Sequence, residues 1–218
     1  MWADQGRDGI RLGIEPHYVI MKLQFQLPGA STLGRILLAT LLFLSISPAM
    51  AVEIEGVVVT PQTQVAGKQL ELNGAGLRVF TLLLVPIKIY VAAFYSATPL
   101  RSPDAVMDSA GPMVFDFTFL RDVGQSDVTK AWTSQFDQSV SYTYPGYAKD
   151  RDSFISMFGA LKSGGVEQVQ FVGTNTIVID QGVTKGIIPG RDFQKSFLSL
   201  WFGSNPVSAD LQSALLGK

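Results

Sequence analysis

From Leu72 to Tyr95 the chain reads LNGAGLRVFTLLLVPIKIYVAAFY, 24 residues carrying only two charges, Arg78 and Lys88. From Val79 onward the stretch is β-branched, leucine-rich and aromatic, and Pro86 interrupts it. This pattern predicts long strand material broken near Pro86, in a sheet with at least one well-buried face. Val52–Thr60 (VEIEGVVVT) and Pro112–Phe119 (PMVFDFTF) alternate in the same way, as do Val166–Val172, Thr176–Asp180 and Val183–Ile188, which turn signals separate.

Helical periodicity appears between and after these strands. Val128, Trp132, Phe136 and Val140 recur every four residues, and Phe154, Met157, Phe158 and Leu161 fall on one stripe of Asp150–Lys162. Asp152 reads as the cap of that second helix, Ser163-Gly164-Gly165 as its end and Ser141–Tyr147 as a loop. Arg191–Phe202 places Phe193, Phe197 and Trp201 on one face and stops at Gly203, and Ser208 opens a short helix ending at Leu215-Leu216-Gly217. Runs of strands separated by runs of helices imply an α+β fold, with helices packed on an antiparallel sheet.

The first 51 residues read differently. Ile36–Ile46 is apolar but short for a membrane span; Lys22 and Arg35 precede it, and Pro48 and the small-residue pattern Ala49-Met50-Ala51 follow. This order predicts a secretory signal cleaved after Ala51, with an uncleaved anchor or a buried helix as the alternative. Residues 1–20 lack signal-like order, whereas Met21-Lys22 opens a charged segment, which makes Met21 the alternative start. The expected organisation is a signal segment over 1–51 and one domain over 52–218, in an exported or periplasmic protein without a membrane span after cleavage.

Cleavage removes His17, the single histidine, and the chain has no cysteine. The remaining domain has no means for His-based acid–base chemistry, Ser-His or Cys-His nucleophiles, thiol redox work or the common zinc sites. Its core also holds without disulfides. Setting aside the four basic and three acidic residues before Ala51 leaves 13 against 15, a net charge of −2 with no basic cluster, which argues against nucleic acid. Gly74-Ala75-Gly76 lacks the third glycine and the following helix of a dinucleotide fingerprint, and no two carboxylates pair as glycoside hydrolysis requires. No cofactor and no metal are expected.

The combination of LNGAGLR, PIKIYVAAFY, a helix around AWTSQF and the tail TKGIIPGRDFQKSFLSLWFGSNPVSADLQSALLG resembles the chalcone isomerase-like family, in its bacterial exported branch, over residues 53–217. The resemblance implies an open-faced antiparallel sheet packed against a layer of helices. Enzymes of that family close chalcones to flavanones with an arginine after the glycine pair, a strand threonine, a helix tyrosine and asparagine, and a late hydroxyl residue. Here the arginine is matched by Arg78. The other positions fall on Val85, Asp127, Ser134 and Leu200, with Ser199 beside the last. Without those hydroxyls the electrostatic part of the catalysis is missing.

Arg78 therefore has two readings, a surface or ion-paired arginine or the anchor of an apolar cleft. A guanidinium recognises a carboxylate bidentately, and Val85, Ile87, Ile89 and Leu200 would line a cleft suited to an acyl chain. Lys130 and Ser134 belong to a polar helix stripe that is either solvated or, as the resemblance implies, turned to that cleft. Lys88 and Tyr90 alternate with Ile87, Ile89 and Val91 and are expected to face away. Three functions follow: a non-catalytic exported binder of a small hydrophobic carboxylate such as a fatty acid, which is favoured; an isomerase or intramolecular lyase with Arg78 in its site; or a structural envelope protein acting through a protein partner that the sequence does not name.

Overall fold

A computed structural model describes residues 51–218; the expected signal segment, apart from Ala51, lies outside them. The elements are β1 (Val52–Ile54), β2 (Val57–Val59), β3 (Gln62–Val65), β4 (Lys68–Leu82), β5 (Val85–Ser96), α1 (Pro103–Asp108), β6 (Met113–Phe119), α2 (Gln125–Ser139), α3 (Tyr147–Ser156), β7 (Val166–Val172), β8 (Asn175–Asp180), β9 (Val183–Pro189), α4 (Arg191–Phe202) and α5 (Ala209–Leu215). Strands β3 to β9 form one seven-stranded antiparallel sheet in chain order, and β1–β2 is a separate hairpin. The fold is α+β, a curled antiparallel sheet with helices against it.

Alternation along β6 shows how the sequence makes two cores. Met113, Phe115, Phe117 and Phe119 point to the helices, while Val114 joins Val59, Val65, Leu70, Val91, Ala93 and Tyr95 on the opposite face. On the helix side Phe197 and Trp201 of α4 meet Phe115 and Phe117, and Trp132, Phe136 and Phe154 complete an aromatic layer. Burying one such ring stabilises by about 3–5 kcal/mol relative to alanine.

Several boundaries differ from the expectations. Val52–Thr60 is a hairpin rather than one strand, because Glu55 and Gly56 turn the chain with φ of 52° and 78°. The long apolar stretch reverses at Leu83-Leu84, not at Pro86, which lies inside β5 opposite Thr81. Helix α3 starts after Gly146 and ends at Ser156, so Asp152 is an interior residue bound to Arg151 and caps nothing. Met157, Phe158 and Leu161 follow in irregular backbone that Leu161 ties to Val123. The polar strand β3 and the capped helix α1 had no clear apolar periodicity to announce them.

The glycine pair lies within β4, and its role is packing. A Cβ on Gly74 would stand 2.1 Å from the carbonyl oxygen of Ala214, and one on Gly76 would stand 2.6 Å from the Ala214 Cβ. Helix α5 thus lies directly on the strand. Asn73 secures the contact: its Nδ2 donates to the carbonyls of Leu100 and Leu215, at 2.9 and 2.8 Å, and its Oδ1 accepts from Leu100 N. Gly74→Ala is expected to cost about 1–3 kcal/mol by forcing α5 away from the sheet, read as an earlier urea midpoint.

Glu167 is buried on β7 beside its cross-strand partner Asp180, and neither of its carboxyl oxygens has a hydrogen-bond partner among the described residues. Burial, with the Asp180 charge adding to it, pushes its pKa up to about 8. The folded state then holds a proton that the unfolded chain releases above its ordinary value of 4.5. The resulting stabilisation is full below that value and is lost as pH rises to about 8. Glu167→Gln is expected to remove this slope and to be the more stable protein above pH 8, by an amount on the order of a few kcal/mol. Denaturant melts of both proteins across that window provide the check.

Candidate functional site

The site begins with a defect in the β4–β5 ladder. Arg78 pairs with Tyr90 and Val79 with Lys88, so Ile89 is an extra residue on β5, a β-bulge. A bulge breaks strict alternation, and Ile89 and Tyr90 therefore both turn to the helix side. The expectation that Tyr90 faces away is corrected on this ground. Lys88 does face away, and its Nζ donates to Glu55 at 2.7 Å.

Cross-strand partners share a face, so Arg78 stands beside Tyr90. Together with Phe80 and Ile89 from the strands and Val123, Lys130, Ala131, Ser134 and Gln135 from the segment through α2, they line a cleft of about 490 Å³. Its floor continues into an apolar recess of about 70 Å³ bounded by Phe117, Phe119, Val128, Trp132 and Leu161. The larger lobe is of the size that small-molecule sites commonly have.

Four of the seven residues expected to bind a ligand thus share one cleft: Arg78, Ile89, Lys130 and Ser134. The other three do not line it. Val85 is the first residue after the turn and lies exposed at the far end of β5, because the reversal at Leu83-Leu84 places it there. Ile87 is half-buried further down the same strand, beyond the cleft wall. Leu200 is fully buried in the α4 core, and its neighbour Ser199 binds Ser141 N and the Ser196 carbonyl instead. Tyr90 is the cleft residue that strand alternation missed; only the bulge reveals it.

The cleft lining carries three cationic side chains, Arg78, Arg121 and Lys130, against two carboxylates, Asp122 and Asp127. Arg78 donates to its neighbour's carbonyl, Val79 O, at 2.7 Å, and makes no salt bridge with any described residue. Burial pushes the Tyr90 phenol up to about 12 against the opposing pull of the Arg78 charge and the Trp201 indole, so it remains a protonated donor at neutral pH. The indole N–H lies near that phenol but outside hydrogen-bond geometry, and it has no partner among the described residues. The two lining carboxylates pair with groups other than Arg78: Asp122 with Lys162 and Ser163 N, and Asp127 with Lys130 of the cleft itself at 3.7 Å. Arg78 and Tyr90 line the cleft with the indole behind them, and no carboxylate of the described residues bonds to any of the three.

A family model for chalcone isomerase-like proteins matches residues 51–217. The chain belongs to the chalcone isomerase-like family. No curated protein matches it. Among solved structures it is similar to the crystal structure of a fatty-acid binding protein from Arabidopsis thaliana, with a TM-score of 0.65 over 77% of this chain and 96% of that one. At 17% identity that likeness speaks to the fold. Arg78, Asp127 and Ser134, three of the positions singled out by the resemblance, all line the cleft. Among the described residues no helix is long and apolar enough to cross a membrane.

Proposed function

We propose that this protein is a non-catalytic binder of a small amphiphilic carboxylate, of the fatty-acid class, held by Arg78 and Tyr90 with its apolar body against Ile89, Ala131 and the aromatic recess. The observation that carries the reading is the pairing of Arg78 and Tyr90 on one cleft wall with no bond to a carboxylate of the described residues. A buried phenol and a half-buried guanidinium with no protein carboxylate are satisfied by an anionic oxygen from outside, and charge-assisted bonds of this kind are the strong ones. The fatty-acid binding protein that shares the fold supports the same ligand class. Lys130 and Ser134 sit at the mouth as secondary polar contacts.

We further propose that the protein is a member of the exported bacterial branch of its family, works outside the cytoplasm, and loses residues 1–51 to a signal peptidase, leaving the domain 52–218. The apolar run before Ala49-Met50-Ala51 is the support for this.

One observation favours a second reading. Tyr90 restores a phenol beside the arginine, the group that an isomerase of this family type needs to polarise a carbonyl. Binding and turnover are separable by experiment. Native mass spectrometry with organic extraction, on protein purified from an exporting host, is expected to yield a co-purifying carboxylate that Arg78→Met does not retain. Titration with oleate is expected to show Arg78→Met binding about 10–100-fold more weakly, the equivalent of one lost charge-assisted contact. An empty wild-type protein that ignores oleate would sink the binding reading, and chalcone cyclisation lost in Tyr90→Phe would move the function to the isomerase.

A further inference from the structure

The longest feature of the sheet is also its least supported. Strand β3 accompanies β4 only as far as Glu71, and β6 accompanies β5 only from Tyr90 onward, so between Val79 and Lys88 the two strands have no further strand of the described residues paired beside them. A two-stranded ribbon of this kind is marginal in water. Its end is nevertheless apolar: Leu83 and Leu84 are 89% and 93% exposed, and Phe80, Leu82 and Val85 are about half exposed. Scattered exposed hydrophobics are ordinary, whereas a contiguous set marks a contact surface.

The turn itself points the same way. Leu83 and Leu84 both have positive φ, 48° and 68°, the backbone of a two-residue hairpin turn that asparagine and glycine adopt readily and leucine does not. Two leucines held there against backbone preference serve something other than the turn. The register then connects the tip to the cleft. Leu82 pairs with Val85 and Phe80 with Ile87 on the face that continues to Arg78 and Tyr90, while the opposite face carries Lys88, bound to Glu55.

We propose that this tip inserts into the surface of a lipid bilayer, so that an amphiphilic carboxylate passes between the membrane and the cleft along the apolar face of the arm. The passage rests on the binding reading; the insertion does not. A protein partner fits poorly, since a stable interface takes roughly 20–30 residues a side and this convex tip presents about five. A bilayer requires only an apolar projection with cations behind it. Arg121, exposed at the cleft mouth and free of salt bridges to the described residues, provides such a charge for an anionic headgroup.

The chain has no cysteine, so one introduced residue carries a label without interference. Leu84→Cys in the full chain, bearing an environment-sensitive fluorophore, is expected to shift to the blue when vesicles of equal parts phosphatidylcholine and phosphatidylglycerol are added. Thr174→Cys, in the β7–β8 turn at the opposite end of the sheet, is expected not to respond. A silent label at 84, equal responses at both sites, or a label at 84 already buried before vesicles are added, as a second copy or residues 1–50 would cause, overturns the insertion. A second variant tests passage without harming the fold. Leu83→Asn with Leu84→Gly suits the turn, so it is expected to melt no lower and to bind oleate in solution as the wild type does, yet to take oleate from the same vesicles several-fold more slowly. An unchanged rate overturns the passage. Loss of oleate binding by the wild type itself would count against the binding reading alone, leaving the label experiment to decide insertion.

Discussion

Trp201 lies against Phe115 and Phe117 with ring centroids 5.3 and 5.5 Å away, and against Phe197 at 4.8 Å. In a domain without disulfides this aromatic contact joins helix α4 to the middle of the sheet, and the rest of the helical layer is arranged around it. Trp132 of α2 reaches the same ring at 6.1 Å, which sets the distance of α2 from β5 and hence the width of the cleft between them. The indole then presents its N–H towards Tyr90. Packing and site are therefore one construction. The ring that closes the core also forms the back of the donor cluster.

Two glycines and one bulge complete it. Gly74 and Gly76 let α5 rest directly on β4, which closes the helical layer at one end of the strand. Further along the same strand Arg78 faces the bulge at Ile89, and the ladder beyond continues as the arm. A regular ladder would keep Ile89 and Tyr90 on opposite faces of the sheet; the extra residue places an apolar contact and a phenol side by side.

The α+β class and most of the aromatic core were legible in the sequence because they rest on periodicity: Phe193, Phe197 and Trp201 at helical spacing and Phe115, Phe117 and Phe119 at strand spacing all lie where that spacing implies. Arg78 was legible as a cleft candidate through the resemblance to the family, whose enzymes carry an arginine after the glycine pair. What periodicity cannot register is a break in itself. Tyr90 was placed on the wrong face because a bulge is invisible in the sequence, and Val85 was placed in the cleft because the family's strand-threonine position falls on it, although the turn at Leu83-Leu84 leaves it exposed at the end of β5. Leu200 was assigned by counting along a helix, a method that finds the turn of the helix but not which neighbour fills the space beside it. Strand β3 escaped because its residues are polar and its pairing with β4 is set by the chain on either side.

The central claim is that an ionised carboxylate sits at Arg78 and Tyr90. It is tested most directly by carbon NMR of oleate labelled at its carboxyl carbon and bound to the protein, followed as the pH is lowered. A guanidinium beside a carboxylate favours the charged form and holds its pKa down, so the bound carboxyl resonance is predicted to stay at its ionised position well below the ordinary carboxylate range, and to lose that protection in Arg78→Met. A bound resonance that titrates like a solvated carboxylate, or one that Arg78→Met leaves unchanged, would contradict the account.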